Sequence, residues 1–306
     1  MRTLILSAED DTGGVAIALA KALNQHTDWE ARECHRTQNY IDYPTDILWA
    51  PGTPRPAELD YLFREADVIH VMERWDAVDH FPDWRRKPLV MHHHGTIFRE
   101  LNTGPLIQSV REFRAYGIVA TIDLTLIDPT LEWLPNPCDI ERMRKIRSEF
   151  FGPHDVLRVA HSPTNRALKG TDRFILDVEK AGLIADVIEW TNWETCLRRK
   201  ASADLFYDQF HCGYGLSGIE AMAMGIPVIG GAYDQRILHL IMSRFGNLPF
   251  LLANPDNLGA WLEFMKDPVN RKESSEVGTR FVEQYHDEAK VARQLVTIYE
   301  RAMAMR

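Results

Sequence analysis

The stretch ADLFYDQFHCGYGLSGIEAMAMGIPVIGG at residues 203–231 constrains the fold more than any other part of the chain. Residues 203–207 form a short apolar run that predicts a buried β-strand, and a glycine-containing loop follows it. Residues 217–224 then predict a helix, and residues 226–229 predict a second strand directly after it. This order of elements predicts two parallel strands joined by a helical crossover.

The loop between the first strand and the helix carries Gly213 and Gly215. A helix that opens from a glycine loop presents unpaired N–H groups at the positive end of its dipole, which suits a phosphate group. Glu220, in the same helix, allows two interpretations. In a capping box, Ser217 caps the helix and Glu220 reaches back to it. In a ligand site, the Glu220 carboxylate accepts hydrogen bonds from a ribose diol.

The pattern G-Y-G-L-S-x-x-E-A-M-A-x-G-x-P-V at residues 213–228 resembles the donor-site signature of retaining glycosyltransferases with the GT-B fold. This large family, of the group 1 or family four type, includes sucrose and glycogen synthases. The resemblance implies two Rossmann-like parallel-sheet domains facing a cleft, with a nucleotide-diphosphate sugar bound to the second domain. The donor-binding residues that it implies in this segment are Gly213, Tyr214, Gly215, Leu216, Ser217 and Glu220.

The sequence departs from the family pattern at one position. The family carries two glutamates, of which the first contacts the donor sugar and the second contacts the ribose. Glu220 occupies the second position, and Cys212 occupies the first. A thiol is a weak hydrogen-bond partner for a sugar hydroxyl. Asp208 or His211 would bind the donor sugar instead, and Asp208 is the stronger candidate because it ends the preceding strand.

Strands and helices also alternate in the first half of the chain. Apolar runs at residues 3–7, 68–72, 89–92 and 118–122 predict strands, with a helix over residues 15–23. This alternation predicts an α/β fold with a parallel sheet covered on both faces. Gly13 and Gly14 fit a tight strand-to-helix turn, and the resemblance implies that they line the interdomain cleft beside the donor.

Three consecutive histidines precede a glycine in the segment PLVMHHHG. Adjacent residues of a strand point in different directions, so we expect no metal site here. The resemblance implies a histidine that faces the donor sugar. His94 is the best match and His92 the second. The alternative is that His94 only ends the strand.

Arg166 and Lys169 lie in the loop after the strand predicted at residues 157–161. The run H-S-P-T followed by K-G-T-D resembles the second donor segment of the family, which carries an arginine and a lysine. Lys169 matches well, and Arg166 lies closer to it than the family spacing. No Asp-x-Asp motif stands in a fitting context, so these cations would replace a metal at a diphosphate. The alternative is that both are solvated loop charges.

A chain of 306 residues accommodates two domains of about 150 residues. Residues 1–152 are expected to form an N-terminal, acceptor-side Rossmann-like domain, and residues 153–286 a nucleotide-sugar-binding one. An amphipathic helix over residues 287–306 follows, and the resemblance implies that it packs back on the first domain.

The net charge of −9 disfavours a dedicated nucleic-acid binder, and the basic run at residues 198–200 is interpreted as a solvated surface. The four cysteines form no CxxC pattern, which indicates a reducing compartment. Without a signal peptide or an apolar run of about 18 residues, a cytoplasmic protein without an integral membrane segment is expected. Phe81 and Trp84, beside the basic residues 85–87, would allow peripheral contact with a membrane.

These features predict a glycosyltransferase of the hexosyltransferase type, with His94, Arg166 and Lys169 as catalytic residues. It would move a sugar from a UDP- or GDP-linked donor to an acceptor hydroxyl, with retention and without a cofactor. The acceptor is a glycan, a lipid-linked sugar, a protein or a modified nucleic acid. Three alternatives stay open: a sugar-nucleotide 2-epimerase, a non-catalytic relative that binds nucleotide sugar, and an inverting transferase with Asp10 or Asp11 as its base.

Overall fold

The computed structural model describes residues 1–100 and 103–306 and divides into two compact units. The first unit contains Met1–Pro137 and Glu288–Arg306, and the second contains Cys138–Asp287. Each unit has its own sheet and its own buried core. The expected domain boundary at residue 152 differs from this division, because the helix Ile140–Phe150 packs against helices of the second unit.

The first unit is a parallel sheet with helices packed on it. Its strands are β1 (Arg2–Ser7), β2 (Glu30–His35), β3 (Ile47–Leu48), β4 (Val68–Met72), β5 (Leu89–His93), β6 (Tyr116–Val119) and β7 (Glu132–Trp133). Within the described residues they form a seven-stranded sheet in the order β3-β2-β1-β4-β5-β6-β7. The helices between them are α1 (Val15–His26), α2 (Ala57–Glu65), α3 (Gly95–Glu100) and α4 (Thr103–Glu112).

The strands at the centre of the first sheet follow the apolar runs of the sequence. The runs at residues 3–7, 68–72 and 89–92 are confirmed as β1, β4 and β5, which are buried almost throughout. The chain adds β2 and β3 on one side of β1 and then continues with β4 on the other side. In open parallel sheets, the carboxyl ends of the strands at such a reversal form a crevice for ligands.

The second unit repeats this architecture. Its strands are β8 (Arg158–His161), β9 (Ile184–Val187), β10 (Leu205–Tyr207), β11 (Cys212–Gly213), β12 (Val228–Ala232) and β13 (Leu251–Leu252). The order is β11-β12-β10-β8-β9, with β13 beside β12 and only β11 antiparallel among the described pairings. The helices are α5 (Ile140–Phe150), α6 (Arg166–Lys169), α7 (Thr171–Lys180), α8 (Trp193–Ala201), α9 (Leu216–Ala223), α10 (Gln235–Phe245), α11 (Leu258–Phe264) and α12 (Pro268–Tyr285).

The crossover predicted at residues 203–231 is confirmed, because β10 and β12 are parallel neighbours joined by α9. The second of these strands begins at Val228, two residues later than predicted. Pro227 has no N–H to donate to a strand ladder, which explains the later start. The second sheet reverses its strand order between β8 and β10, since β9 lies on one side of β8 and β10 on the other.

The C-terminal helix α13 (Glu288–Ala304) belongs to the first unit and packs against α1. Its buried stripe contains Val291, Leu295 and Ile298, which join the core on one face of the first sheet. Tyr299 extends this stripe and is fully buried. The amphipathic pattern of the sequence therefore corresponds to a helix that covers the sheet.

Phe81 and Trp84 do not form an apolar surface for a membrane. Both side chains are buried in the core on the other face of the first sheet, where Phe81 stacks on Phe63 at 4.3 Å. The proposed membrane contact through these residues was therefore wrong: their hydrophobic surface is already covered. Throughout the described part of the chain, every helix is too short or too polar to cross a membrane.

Candidate functional site

Three of the residues expected to bind a donor lie together where the second sheet reverses its strand order. Lys169 follows β8 at the end of α6, Asp208 follows β10 directly, and Gly215 precedes α9. Hydrogen bonds join all three residues. They therefore lie at the edge of the sheet where open parallel sheets bind ligands.

Asp208 is fully buried at the centre of this cluster. Its Oδ1 accepts a hydrogen bond from Lys169 Nζ at 2.8 Å, and its Oδ2 accepts one from the Gly215 N–H at 2.6 Å. Burial alone would raise the pKa of Asp208, but the Lys169 ammonium and the Gly215 N–H hold it below its ordinary value. Asp208 is therefore an ionised anchor that fixes Lys169 against the glycine loop.

The N-terminus of α9 lies in the same place. Leu216 and Ser217 in its first turn are partly exposed, and their N–H groups precede the first bonds within the helix. Ser217 Oγ accepts a hydrogen bond from Ser162 Oγ at 3.1 Å, and no described side chain caps this helix. The capping-box interpretation was therefore wrong, and the N–H groups of the first turn lie beside the Asp208 carboxylate, which binds the Gly215 N–H.

Glu220 is held by the helix α8. Its Oε1 accepts a hydrogen bond from Trp193 Nε1 at 2.7 Å, and its Oε2 lies 2.5 Å from Lys200 Nζ. Lys200 is fully buried, so its interpretation as part of a solvated basic run was wrong. Burial opposes the charge on Lys200, but the Glu220 carboxylate outweighs it and raises the pKa of the lysine.

The other residues expected in this region have varied surroundings. Arg166 is exposed and pairs with Glu189 at 2.7 Å and with Asp172 at 2.8 Å, so it points to carboxylates beside the cluster.

The Tyr214 ring is buried and lies 5.3 Å from Phe281, which leaves its backbone as the part that could contact a donor.

Cys212 and Gly213 form the short strand β11, which pairs antiparallel with β12. Cys212 is partly buried, and its Sγ accepts a hydrogen bond from Gln209 Nε2 at 3.0 Å. The thiol is therefore tied to the strand-end segment that also carries Asp208, and the segment positions both residues.

Gly13 and Gly14 turn the chain from β1 into α1 in the first unit. Both have a left-handed backbone, with φ of 70° and 67°. A Cβ atom at Gly14 would also lie 2.5 Å from the Tyr43 ring. The glycine pair is therefore required by the turn itself, and its expected contact with a donor stays a prediction.

The N-terminus of α1 is filled by a carboxylate of the protein. The Asp11 oxygens accept hydrogen bonds from the N–H groups of Ala16 at 2.8 Å and Ile17 at 2.9 Å. Burial, with a contribution from Glu33, raises the pKa of Asp11 to about 7. The first turn of α1 is therefore already bound by a side chain of the protein.

A buried histidine cluster lies in the middle of β4 and at the carboxyl end of β5. His70 bonds Tyr299 Oη through Nδ1 at 2.9 Å and His92 Nδ1 through Nε2 at 3.2 Å. The His94 ring lies 4.7 Å from the His92 ring, and burial lowers the pKa of His94 to about 3. His94 is therefore a neutral imidazole near pH 7. Its Nε2 is buried and has no hydrogen-bond partner among the described residues.

Sequence reasoning missed the residues that support the site from behind. Lys200, Trp193 and Ser162 all contact α9 or its first turn, but they come from other elements. One signal was present: Trp193 and Lys200 are seven residues apart in α8 and so lie on one helix face. Among residues 1–100 and 103–306, no group of His, Cys, Asp and Glu side chains is placed to hold a metal ion.

The sequence matches no protein-family model and no curated protein, but solved structures match its fold along the whole chain. An alpha-glucosyltransferase in complex with UDP-glucose and DNA containing an abasic site gives a TM-score of 0.69 at 13% identity, covering 98% of this chain and 99% of the other. Sucrose-phosphate synthase from Thermosynechococcus elongatus gives 0.65 at 14% identity, with 100% and 99% covered. HepE from Anabaena in complex with UDP-glucose gives 0.64 at 13% identity, with 98% and 100% covered.

These neighbours include glycosyltransferases of the GT-B class. The protein has this fold, with two Rossmann-like units, each built on a largely parallel sheet. Identities of 13% and 14% establish the fold alone.

Proposed function

We propose that this protein is a glycosyltransferase that takes a sugar from a nucleotide-diphosphate donor and transfers it to an acceptor hydroxyl. The observation that carries the proposal is the cluster of Lys169, Asp208 and the first turn of α9 at the reversal of the second sheet. A lysine beside an open helix N-terminus suits a diphosphate. Neighbouring structures solved with UDP and with UDP-glucose support this ligand class.

In this proposal, the second unit stabilises the charge that grows on the diphosphate as the bond from the sugar to the phosphate breaks. An ammonium group has three N–H donors. Asp208 accepts one from Lys169 and so leaves two for phosphate oxygens. The N–H groups of Leu216 and Ser217 add donors that are fixed by the helix. Such preorganised donors need no rearrangement during the reaction, and we propose that they act in place of a metal ion.

We further propose that transfer retains the configuration at the sugar, with the departing phosphate accepting the proton of the acceptor hydroxyl. The resemblance of residues 213–228 to retaining enzymes supports this choice. The surroundings of Asp11 also support it, because both of its oxygens are engaged at the N-terminus of α1. Asp10 accepts a hydrogen bond from Asn39. Asp11 is thus committed to the helix N-terminus, whereas Asp10 stays the candidate base for the inverting alternative.

His94 is proposed to contact the donor sugar from the first unit. Its Nε2 is buried and unused among the described residues, and its imidazole is neutral near pH 7 because burial lowers its pKa. A neutral imidazole can donate a hydrogen bond to a sugar hydroxyl or accept one from it. His94→Ala is expected to lower turnover much more than it weakens binding of the free nucleoside diphosphate.

Binding and product analysis test the proposal together. Calorimetry with UDP, GDP and their glucose conjugates should show one site, and a ligand at a hundredfold its Kd should stabilise the fold by about 2.7 kcal/mol. NMR of the sugar product should show the donor configuration. Binding without transfer or slow donor hydrolysis would instead identify a non-catalytic relative. A changed sugar in the absence of acceptor would identify a 2-epimerase.

A further inference from the structure

One face of α8 holds the Glu220 carboxylate at both of its oxygens. Trp193, at the start of the helix, donates from Nε1 to Oε1 at 2.7 Å. Lys200, two turns later, places Nζ 2.5 Å from Oε2 and 3.4 Å from the Ser217 carbonyl. The two donors thus approach the carboxylate from one rigid element, and Lys200 also contacts the first turn of α9.

Burying these two charges lowers the stability of the fold unless they are paired. Lys200 has no exposed surface, and Glu220 is 5% exposed. The attraction within such a buried ion pair offsets the loss of hydration only when both partners are present and well oriented. The Arg142 guanidinium lies 4.5 Å from the Trp193 ring and pairs with Glu194, which fixes the indole in turn.

We propose that Trp193 and Lys200 are positioning residues that hold the Glu220 carboxylate oriented to accept hydrogen bonds from the ribose hydroxyls of the donor nucleotide. This inference rests on the proposed function, because it needs a nucleotide at the N-terminus of α9. Each carboxylate oxygen has two lone pairs, and α8 uses one on each. The helix α8 therefore sets the direction of the remaining lone pairs of the Glu220 carboxylate. In this proposal, the preference of the site for ribose depends on two residues that do not contact the ligand.

The test compares ribose-containing nucleotides with analogues that lack the hydroxyls. The probes are UDP, GDP and their 2′,3′-dideoxy forms. For each base that binds, the measured quantity is the Kd of the dideoxy nucleotide divided by the Kd of the ribonucleotide. A site built to pair with hydroxyls should favour the ribose form by at least about tenfold in the wild-type protein.

Trp193→Phe removes one N–H donor and keeps a ring beneath Arg142. It should reduce the ribose preference about threefold to tenfold while the Kd of the dideoxy form stays unchanged. Lys200→Met alone leaves a buried charge and is expected to unfold easily. The double variant Lys200→Met with Glu220→Gln removes both charges, so it should fold and yet have no ribose preference.

Arg198→Met is the matched control, because Arg198 lies in the same helix and is exposed. It should keep the wild-type ratio. A Trp193→Phe protein and a stable double variant that both keep the full preference would overturn the inference and leave the proposed function standing. A wild-type protein that binds none of the four nucleotides would overturn both.

Discussion

Asp208 Oδ1 lies 2.8 Å from Lys169 Nζ, and this ion pair joins the two strands between which the second sheet reverses. Lys169 comes from the segment after β8, and Asp208 directly follows β10. Because Asp208 also accepts a hydrogen bond from the Gly215 N–H, one buried carboxylate sets the position of a cation relative to the N-terminus of α9. The Asp208 carboxylate thus holds both groups that are proposed to bind the diphosphate, the Lys169 ammonium and the N-terminus of α9.

Replacing Lys169 should weaken the binding of a nucleoside diphosphate. Lys169→Met removes a charge-assisted hydrogen bond and leaves the buried Asp208 carboxylate without its cation, so we expect lower stability and a loss of roughly 1.5–3 kcal/mol in binding and in kcat/KM. Calorimetry and initial rates measure the two losses. Turnover within twofold of the wild type would contradict the assigned role.

Arg166→Met is the matched control for Lys169. Arg166 is 46% exposed at its side chain and already pairs with Glu189 and Asp172, so we expect binding to weaken by less than about threefold, in line with the small contribution of exposed ion pairs. Losses as large as those of Lys169→Met would show that Arg166 leaves its carboxylates to bind the ligand.

Asp208→Asn should be more harmful than Cys212→Ala. The first change removes the charge that orients both Lys169 and the Gly215 N–H, and we expect a loss of about 3–5 kcal/mol in stability together with weaker nucleotide binding. Cys212 Sγ accepts one hydrogen bond from Gln209, so Cys212→Ala should keep activity within about threefold. Melting curves and rates check both variants, and a stable but inactive Cys212→Ala protein would assign the thiol a direct role.

The sequence predicts the elements that its local pattern encodes. The apolar runs of β1, β4 and β5 and the crossover from β10 through α9 to β12 follow from periodicity and glycine placement. The anion site proposed at α9 follows from the same local rules, since the loop, the helix start and Lys169 are close in the chain or follow strand ends.

The supporting residues could not be found in this way, because their roles depend on packing. Lys200 stands in a run of three basic residues that looks solvated, but the fold buries it against Glu220. Glu220 has the spacing of a capping box, yet α8 supplies better partners. Phe81 and Trp84 have the composition of an exposed patch and are core residues instead. In each case, a tertiary contact decided the role of a residue that the local sequence could not decide.

Gly218→Ala, in the helix α9, should displace the Asp208 carboxylate. A Cβ atom at Gly218 would lie 2.7 Å from Asp208 Oδ2, and this oxygen cannot retreat without losing its bond to Gly215. We expect a loss of about 1–3 kcal/mol in stability. The control is Gly259→Ala in α11, where a Cβ atom meets nothing within 4 Å. This change should stabilise the fold by up to about 1 kcal/mol, and equal melting temperatures for the two variants would contradict the crowding at Gly218.

Buried histidines should make the protein sensitive to acid. Burial lowers the pKa of His70 and His94 to about 3 and that of His93 to about 4, from an ordinary value of 6.5. As the pH falls below 6.5, the unfolded chain therefore binds protons that the folded chain does not, and stability is lost. At pH 5 the loss is roughly 2 kcal/mol for each such histidine. Protonation of these histidines therefore removes a substantial part of the stability of a domain.

His93→Phe should shift acid unfolding to lower pH. The His93 ring stacks on Phe98 at 4.3 Å, and its Nε2 has no hydrogen-bond partner among the described residues. A phenyl ring can keep the stacking while removing the proton acceptor. Asp128, the nearby carboxylate that favours the charged imidazole, only partly offsets the effect of burial on the pKa of His93. His239→Gln is the control, because His239 is exposed. Circular dichroism between pH 7 and pH 3 measures the midpoint. A midpoint for His93→Phe equal to those of the wild type and His239→Gln would show that proton uptake by His93 does not drive unfolding.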